Sequence, residues 1–218
     1  MSCTICEKRK EKRFCPALHE RICPQCCGEQ REVTLDCPTE CIYLQQARAH
    51  EKPRPIQELE QAAWFPKIEF GDQFLYENEQ IILGLSYSLA RVARSVPGVH
   101  DSDLIASLTA RARAYETLAN SGLVYEAPIT NLTHQAIANE IQKSVTEYRE
   151  AEQKHLGYTR LRDADILRGL VFLLRMAVTR TSGRPRSRAF MDFLFRQFPE
   201  QASALATTKK RAGSSSRS

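Results

Sequence analysis

The chain is 218 residues long, 42% hydrophobic and 26% charged, with a net charge of +5. That size and apolar content exclude a chain too small or too polar to build its own core, so one medium domain with an appendage is expected. The charge is unevenly placed, with +7 in residues 180–218 and −4 in residues 53–129, so nearly all of the positive excess is carboxy-terminal.

Met1 to Lys10 has no apolar stretch behind its charges and does not read as a secretory signal. The longest apolar run, Ile166 to Val178, is broken by Arg168 and Arg175 and falls short of the roughly 20 residues a bilayer requires. A cytoplasmic location without membrane association is therefore the expectation, and with it reduced thiols.

All eight cysteines fall between Cys3 and Cys41. They form four clusters: Cys3-Thr-Ile-Cys6, Cys15 with His19 four residues on, Cys23-Pro-Gln-Cys26-Cys27-Gly28, and Cys37-Pro-Thr-Glu-Cys41. Ligands two or three residues apart on a tight turn reach one tetrahedral ion together, and clusters repeated along the chain complete its shell. Eight thiolates divide into two structural Zn2+ sites, Cys3, Cys6, Cys23 and Cys26 at one and Cys15, Cys27, Cys37 and Cys41 at the other. Exchanging Cys26 with Cys27 fits equally well, and a Cys15 and His19 pair that leaves one of the adjacent cysteines free is a third option. With every position filled by protein, such sites are structural, and metal binding supplies folding energy to a segment of this size.

Asp36 to Glu40 carries the signals of a helix start, and Cys41 to His50 reads as a short helix with Tyr43, Leu44 and Ala47 inward. Lys52-Pro-Arg-Pro55 stops it, and Ile56 to Trp64 reads as a brief amphipathic helix ended by Pro66. From Asp72 the apolar spacing is helical. One long helix holds Phe74, Ile81, Leu85, Leu89, Val92 and Val96, and a second holds Leu104 to Leu118, capped by Asp101 or Ser102 and stopped at Gly122. A third runs from Asn131 to His155, a fourth from Asp163 to Thr181, and a fifth from Pro185 to Phe198. The fourth is apolar on most faces and belongs at the centre of a bundle. Thr207 to Ser218 has almost nothing to bury and is expected to be disordered.

The reading is thus mainly α: a bundle of about five helices preceded by a small two-zinc module. Its boundaries are a cysteine-rich zinc module at 1–50, a linker at 51–71, the bundle at 72–199 and a basic tail at 200–218. The module's core would come from Ile5, Phe14, Ile22, Val33, Leu35 and Leu44, and the bundle's from Leu85, Leu89, Leu108, Val145, Leu170, Leu174 and Leu194.

The Cys23-Pro-Gln-Cys26 stretch resembles a zinc knuckle, and Cys37 with Cys41 resembles the helix-borne ligand pair of treble-clef fingers. The four alternating clusters together resemble the cross-brace modules of the RING, MYND, HIT and B-box type, in which first and third clusters share one ion and second and fourth the other. That resemblance covers residues 3 to about 50 and departs from it at the lone Cys15 and the adjacent Cys26 and Cys27. The string Cys26-Cys-Gly-Glu-Gln-Arg-Glu-Val-Thr34, followed by Asp36-Cys-Pro38, resembles an uncharacterised bacterial family with a Cys-Cys-Gly motif ahead of a helical region. It implies this arrangement and no particular reaction.

Nothing in the sequence supports an enzyme: it has no phosphate-binding glycine loop and no Ser, His and Asp grouping. Glu152 and His155 have the spacing of di-iron carboxylate bundles but lack a second pair, and read as a solvated helix end. Gly183-Arg-Pro-Arg186, with Arg180 and Arg188, resembles an AT-hook core, yet the same letters are explained by a left-handed glycine and a helix-starting proline. The expected function is a zinc-binding, non-enzymatic interaction or adaptor protein with a protein partner. The alternatives are a nucleic-acid-binding regulator using the basic carboxy-terminal region, and a redox-sensitive zinc switch acting through Cys26 or Cys27.

Overall fold

A computed structural model describes residues 1–51, 65–124 and 129–199 of the chain. The short helix expected over Ile56 to Trp64 and the tail from Thr207 lie outside the described residues. A two-stranded antiparallel hairpin, β1 (Arg13–Cys15) and β2 (Glu20–Ile22), precedes α1 (Pro24–Gln30) and α2 (Ile42–His50). Six more helices follow among the described residues: α3 (Asp72–Glu77), α4 (Glu79–Ser95), α5 (Asp101–Ser121), α6 (Leu132–Leu156), α7 (Asp163–Arg180) and α8 (Ala189–Gln197). The fold is mainly α, as the periodicity implies, with strands confined to the cysteine segment among the described residues. No helix among them is long and apolar enough to cross a membrane.

Helices α4 to α7 form the bundle, α5 packing chiefly on α7 and α4 on α6, while α8 crosses α4, α7 and α5. Leu85, Leu89, Leu108, Val145, Leu170, Leu174 and Leu194 are all buried in its core. A separate apolar cluster holds Ile22, Leu35 and Leu44 with seven cysteines, so the described residues form two cores. Phe14 and Val33 do not join the smaller one, being 51% and 40% exposed. Strand alternation explains Phe14: Cys15 points inward, so its neighbour points out.

Three helix boundaries depart from the periodicity. The long helix expected from Asp72 to Val96 divides at Asn78, whose backbone N–H and side-chain amide both donate to the Phe74 carbonyl, each at 3.0 Å. A side chain that competes for backbone partners in this way interrupts the helical ladder. Helix α5 begins at Asp101, but that residue does not cap it. The Asp103 carboxylate instead accepts the His100 N–H at 2.9 Å, and Gly122, at φ +69°, ends the helix as its sequence implies. The Asp101 side chain is buried and turned to α8, where it accepts the N–H groups of Phe190 and Met191 at 3.2 and 3.1 Å and the Ser187 hydroxyl at 2.8 Å. Two orphan donors of α8 are thereby satisfied from another helix, and α8 starts at Ala189 and not at Pro185.

Residues 181–188, freed from helix, hold the cysteine segment against the bundle. Glu32, only 1% exposed and at φ +53°, is the centre of this joint. Its carboxylate accepts Arg48 Nη2 at 2.7 Å and the Ser182 hydroxyl at 2.9 Å, and its carbonyl accepts the Arg186 N–H at 2.8 Å. Arg48 also pairs with Asp192 of α8, which accepts the Thr39 hydroxyl at 2.7 Å. Arg184 Nη1 donates to the carbonyls of Gly28 and Arg31 at 3.1 and 2.6 Å, and Arg188 pairs with Asp36 at 3.0 Å. Arg48→Met would leave two buried carboxylates without their shared cation, an expected loss of about 3–5 kcal/mol. Urea unfolding checks it against Arg186→Gln, an exposed side chain expected to change stability by no more than about 0.5 kcal/mol. A loss below about 1 kcal/mol for Arg48→Met would mean that water already serves both carboxylates.

Candidate metal centre

Cys3 and Cys6 lie on a tight turn closed by the Glu7 N–H on the Cys3 carbonyl at 2.7 Å, with Glu7 at φ +54°. Cys23 follows β2 directly as the N-cap of α1, and its sulfur accepts the Cys26 N–H at 3.4 Å. Pro24 occupies the first helical position, where it has no N–H to lose. The Cys23 N–H in turn donates to Cys3 Sγ at 3.1 Å, tying the first turn to the second.

This brings the sulfurs of Cys3, Cys6, Cys23 and Cys26 together within 4.8 Å of one another. A tetrahedron of Zn–S bonds has sulfur–sulfur edges of roughly 3.8 Å, so the set fits one ion with little further closure. Cys3, Cys23 and Cys26 are buried, and all eight cysteines are free thiols. Between the two arrangements that spacing leaves equal, Cys26 and not Cys27 completes this group.

The site's electrostatics already favour charge on sulfur. Burial alone would raise the Cys3 thiol, but N–H groups of Cys23, Cys6 and Ile5 draw it down to about 6. The Cys26 N–H, opposed by burial, lowers Cys23, with Arg9 contributing in the same direction. Burial first, and then the neighbouring Cys23, Cys6 and Cys3, push Cys26 up to about 12. Cys3 and Cys23 are thus drawn toward the thiolate and Cys26 away from it, and a bound cation would favour the thiolate at each.

The other four cysteines are arranged differently. Cys15, Cys27, Cys37 and Cys41 are buried in the same small core, at 6–8% exposure, but no second group of three or more ligating side chains gathers this closely among the described residues. The structure therefore shows one four-cysteine cluster where the sequence led to the expectation of two. Burial raises Cys37, with Cys41 and Cys15 adding to the rise, while the Glu32 N–H opposes it. Cys27 Sγ accepts Arg13 Nη1 at 3.5 Å, and Cys41 is the N-cap residue of α2. His19 is exposed at the hairpin turn, at φ +55°, and is not part of the cluster.

Elsewhere, Glu152 accepts the N–H groups of Arg160 and Leu161, both at 3.0 Å, and so shapes the turn after α6 beside an exposed His155. Of the AT-hook-like arginines, Arg184 and Arg188 are engaged with the cysteine segment, whereas Arg186 is exposed. Sequence reasoning did not find Glu32, Arg48 or Asp192; the one readable trace is the Cys-Cys-Gly string, whose Gly28, Arg31 and Glu32 form the docking edge.

Comparison with protein-family models, curated proteins and solved structures returned no match.

Proposed function

We propose that residues 1–50 form a structural two-zinc module that fixes a surface for a protein partner, making the chain a non-enzymatic interaction or adaptor protein. The observation that carries this reading is the closed set Cys3, Cys6, Cys23 and Cys26, all within 4.8 Å. Four protein thiolates fill a tetrahedral shell, which leaves no open position for water or substrate. The ion's contribution is to hold these turns; Cys23 orients the first turn through its N–H on Cys3, and Pro24 fixes the entry to α1. Cys15, Cys27, Cys37 and Cys41 would hold the second ion. Their common burial in one small core, with Cys41 and Cys15 near enough to add to the rise at Cys37, supports that grouping, which has to tighten when metal binds. The likeness to cross-brace modules, first cluster with third and second with fourth, supports the same division.

Elemental analysis of the purified protein is expected to give about two Zn2+ per chain. Cys3→Ser and Cys41→Ser should each lower the content by about one ion, because each removes a ligand of a different site. A stoichiometry near one, lost with Cys3→Ser and kept with Cys41→Ser, would remove the second site. Iron-sulfur absorption in place of zinc would overturn the assignment of the metal. For the adaptor role, partner capture by the wild-type chain should fail with Cys37→Ser; a partner profile that does not change would place the interaction surface on the bundle.

A further inference from the structure

A cleft of about 880 Å³ opens between the cysteine segment and the bundle, walled by α2 on one side and by α7, residues 181–184 and α8 on the other. Its volume is in the range that takes a small organic ligand. Arg48, Arg180, Arg184 and Arg196 line it, together with apolar Ala49, Met176 and Ala189. Arg48 is answered by Glu32 and Asp192, a buried trio with one excess negative charge. Among the described residues the other three guanidiniums have no carboxylate partner, and Glu51 is the only acidic residue in the lining.

What holds two of these arginines is as informative as what does not. Arg180 lies over the Phe193 ring at 3.9 Å from its centroid, and Arg184 is fixed by the carbonyls of Gly28 and Arg31. A π face and carbonyl oxygens position a guanidinium without neutralising it. Rigid, still-charged forks suit an oxyanion that accepts paired N–H bonds, and phosphate is the anion they match best. Exposed Arg196 supplies a third positive charge from α8, and Met176 with the two alanines offers an apolar surface beside them.

We infer that this cleft binds a phosphorylated small molecule of nucleotide size, its phosphates on Arg180, Arg184 and Arg196 and its apolar portion against Met176. The inference is separate from the adaptor reading, since it needs only that the cysteine segment be docked.

Isothermal titration of the full, metal-loaded chain with inorganic pyrophosphate, adenosine 5′-diphosphate and adenosine tests it. Both phosphates are expected to bind saturably, with adenosine at least tenfold weaker. Arg196→Gln, an exposed side chain with no hydrogen bond or ion pair among the described residues, and Arg180→Gln are each expected to weaken the diphosphate fivefold or more while leaving the circular dichroism spectrum as in the wild type. Arg180→Lys should not restore affinity, because an ammonium lacks the planar fork. Chelated protein, with the cleft's α2 wall undone, should lose binding. Failure to saturate through the millimolar range, equal binding of adenosine, or insensitivity to both glutamine variants would overturn the site. So would a single-stranded oligonucleotide that binds where the mononucleotide does not, which would assign these arginines to a nucleic-acid backbone.

Discussion

Leu170→Asp is expected to abolish the cooperative thermal transition of the helical bundle, leaving near-ultraviolet circular dichroism without fixed aromatic signals. Leu170 is fully buried at the middle of α7, the helix that meets α5, α4 and α8. The adjacent Gly169 shows how near α4 lies, since a Cβ there would stand 3.8 Å from Ile82 and 3.9 Å from Leu85. Losing the leucine's contacts costs about 2–5 kcal/mol. Placing an unpaired carboxylate in the apolar core that Leu170 occupies adds several more, and the sum approaches the whole stability of a typical domain, about 5–15 kcal/mol. Leu170→Met, which conserves volume, is the control and should cost less than about 1.5 kcal/mol. A melt for the aspartate variant within a few degrees of the wild type would show that α7 is not the centre of the core.

That centre was legible because local physics decides it. Ile166, Leu167, Leu170, Val171, Leu173 and Leu174 cover several faces of one helix, and no arrangement but burial on several sides satisfies them. The Cys3, Cys6, Cys23 and Cys26 group was legible for a related reason, since thiol spacing and turn geometry bring each pair together before any tertiary contact forms. The choice between Cys26 and Cys27 was not. It depends on where β2 hands over to α1, and Cys23 as N-cap puts Cys26 one turn ahead.

Long-range polar contacts escaped for the opposite reason. Asp101 has the residue type and position of an N-cap for its own helix, yet it serves α8, 89 and 90 residues away in sequence. Glu32 and Arg48 look like ordinary surface charges until Asp192 and Ser182 are brought beside them by the bundle. The arginines after Gly183 carry the letters of a minor-groove binder, but a carbonyl edge made by Gly28 and Arg31 claims Arg184 first. Gly183 does adopt a left-handed φ, +72°, though in the docking turn and not as the helix cap, which is Thr181. Periodicity reports on a helix's own face; it carries no information about which distant element supplies a charge.

Removing metal from the four-cysteine site should unfold residues 1–50 while most helical signal persists. The smaller core has only Ile22, Leu35 and Leu44 as fully committed aliphatic side chains, so it relies on its sulfurs being held together. Structural zinc contributes on the order of 10–16 kcal/mol to folding such a segment, more than three aliphatic side chains at roughly 2–3 kcal/mol each can replace. Helices α4 to α8 keep a core that contains no module residue, and their amide circular dichroism should survive chelation. The bundle will still register the loss. With the module gone, Asp192 loses Arg48 and Thr39, Arg184 and Arg188 lose their partners, and the 181–188 turn keeps its anchor at Ser187 on Asp101 but loses its contacts to Glu32, Gly28 and Arg31. Because water reaches Asp192 once the module departs, this penalty should be smaller than the one for Arg48→Met, where both carboxylates stay buried. The order of effects is therefore specific: a modest fall in the bundle's melting temperature on chelation, reversed by adding Zn2+, beside a larger loss in the intact protein for Arg48→Met. Loss of helicity across the whole chain on chelation would mean that the cysteine segment and the bundle fold as one unit, with Glu32 and its partners as an internal part of a single core.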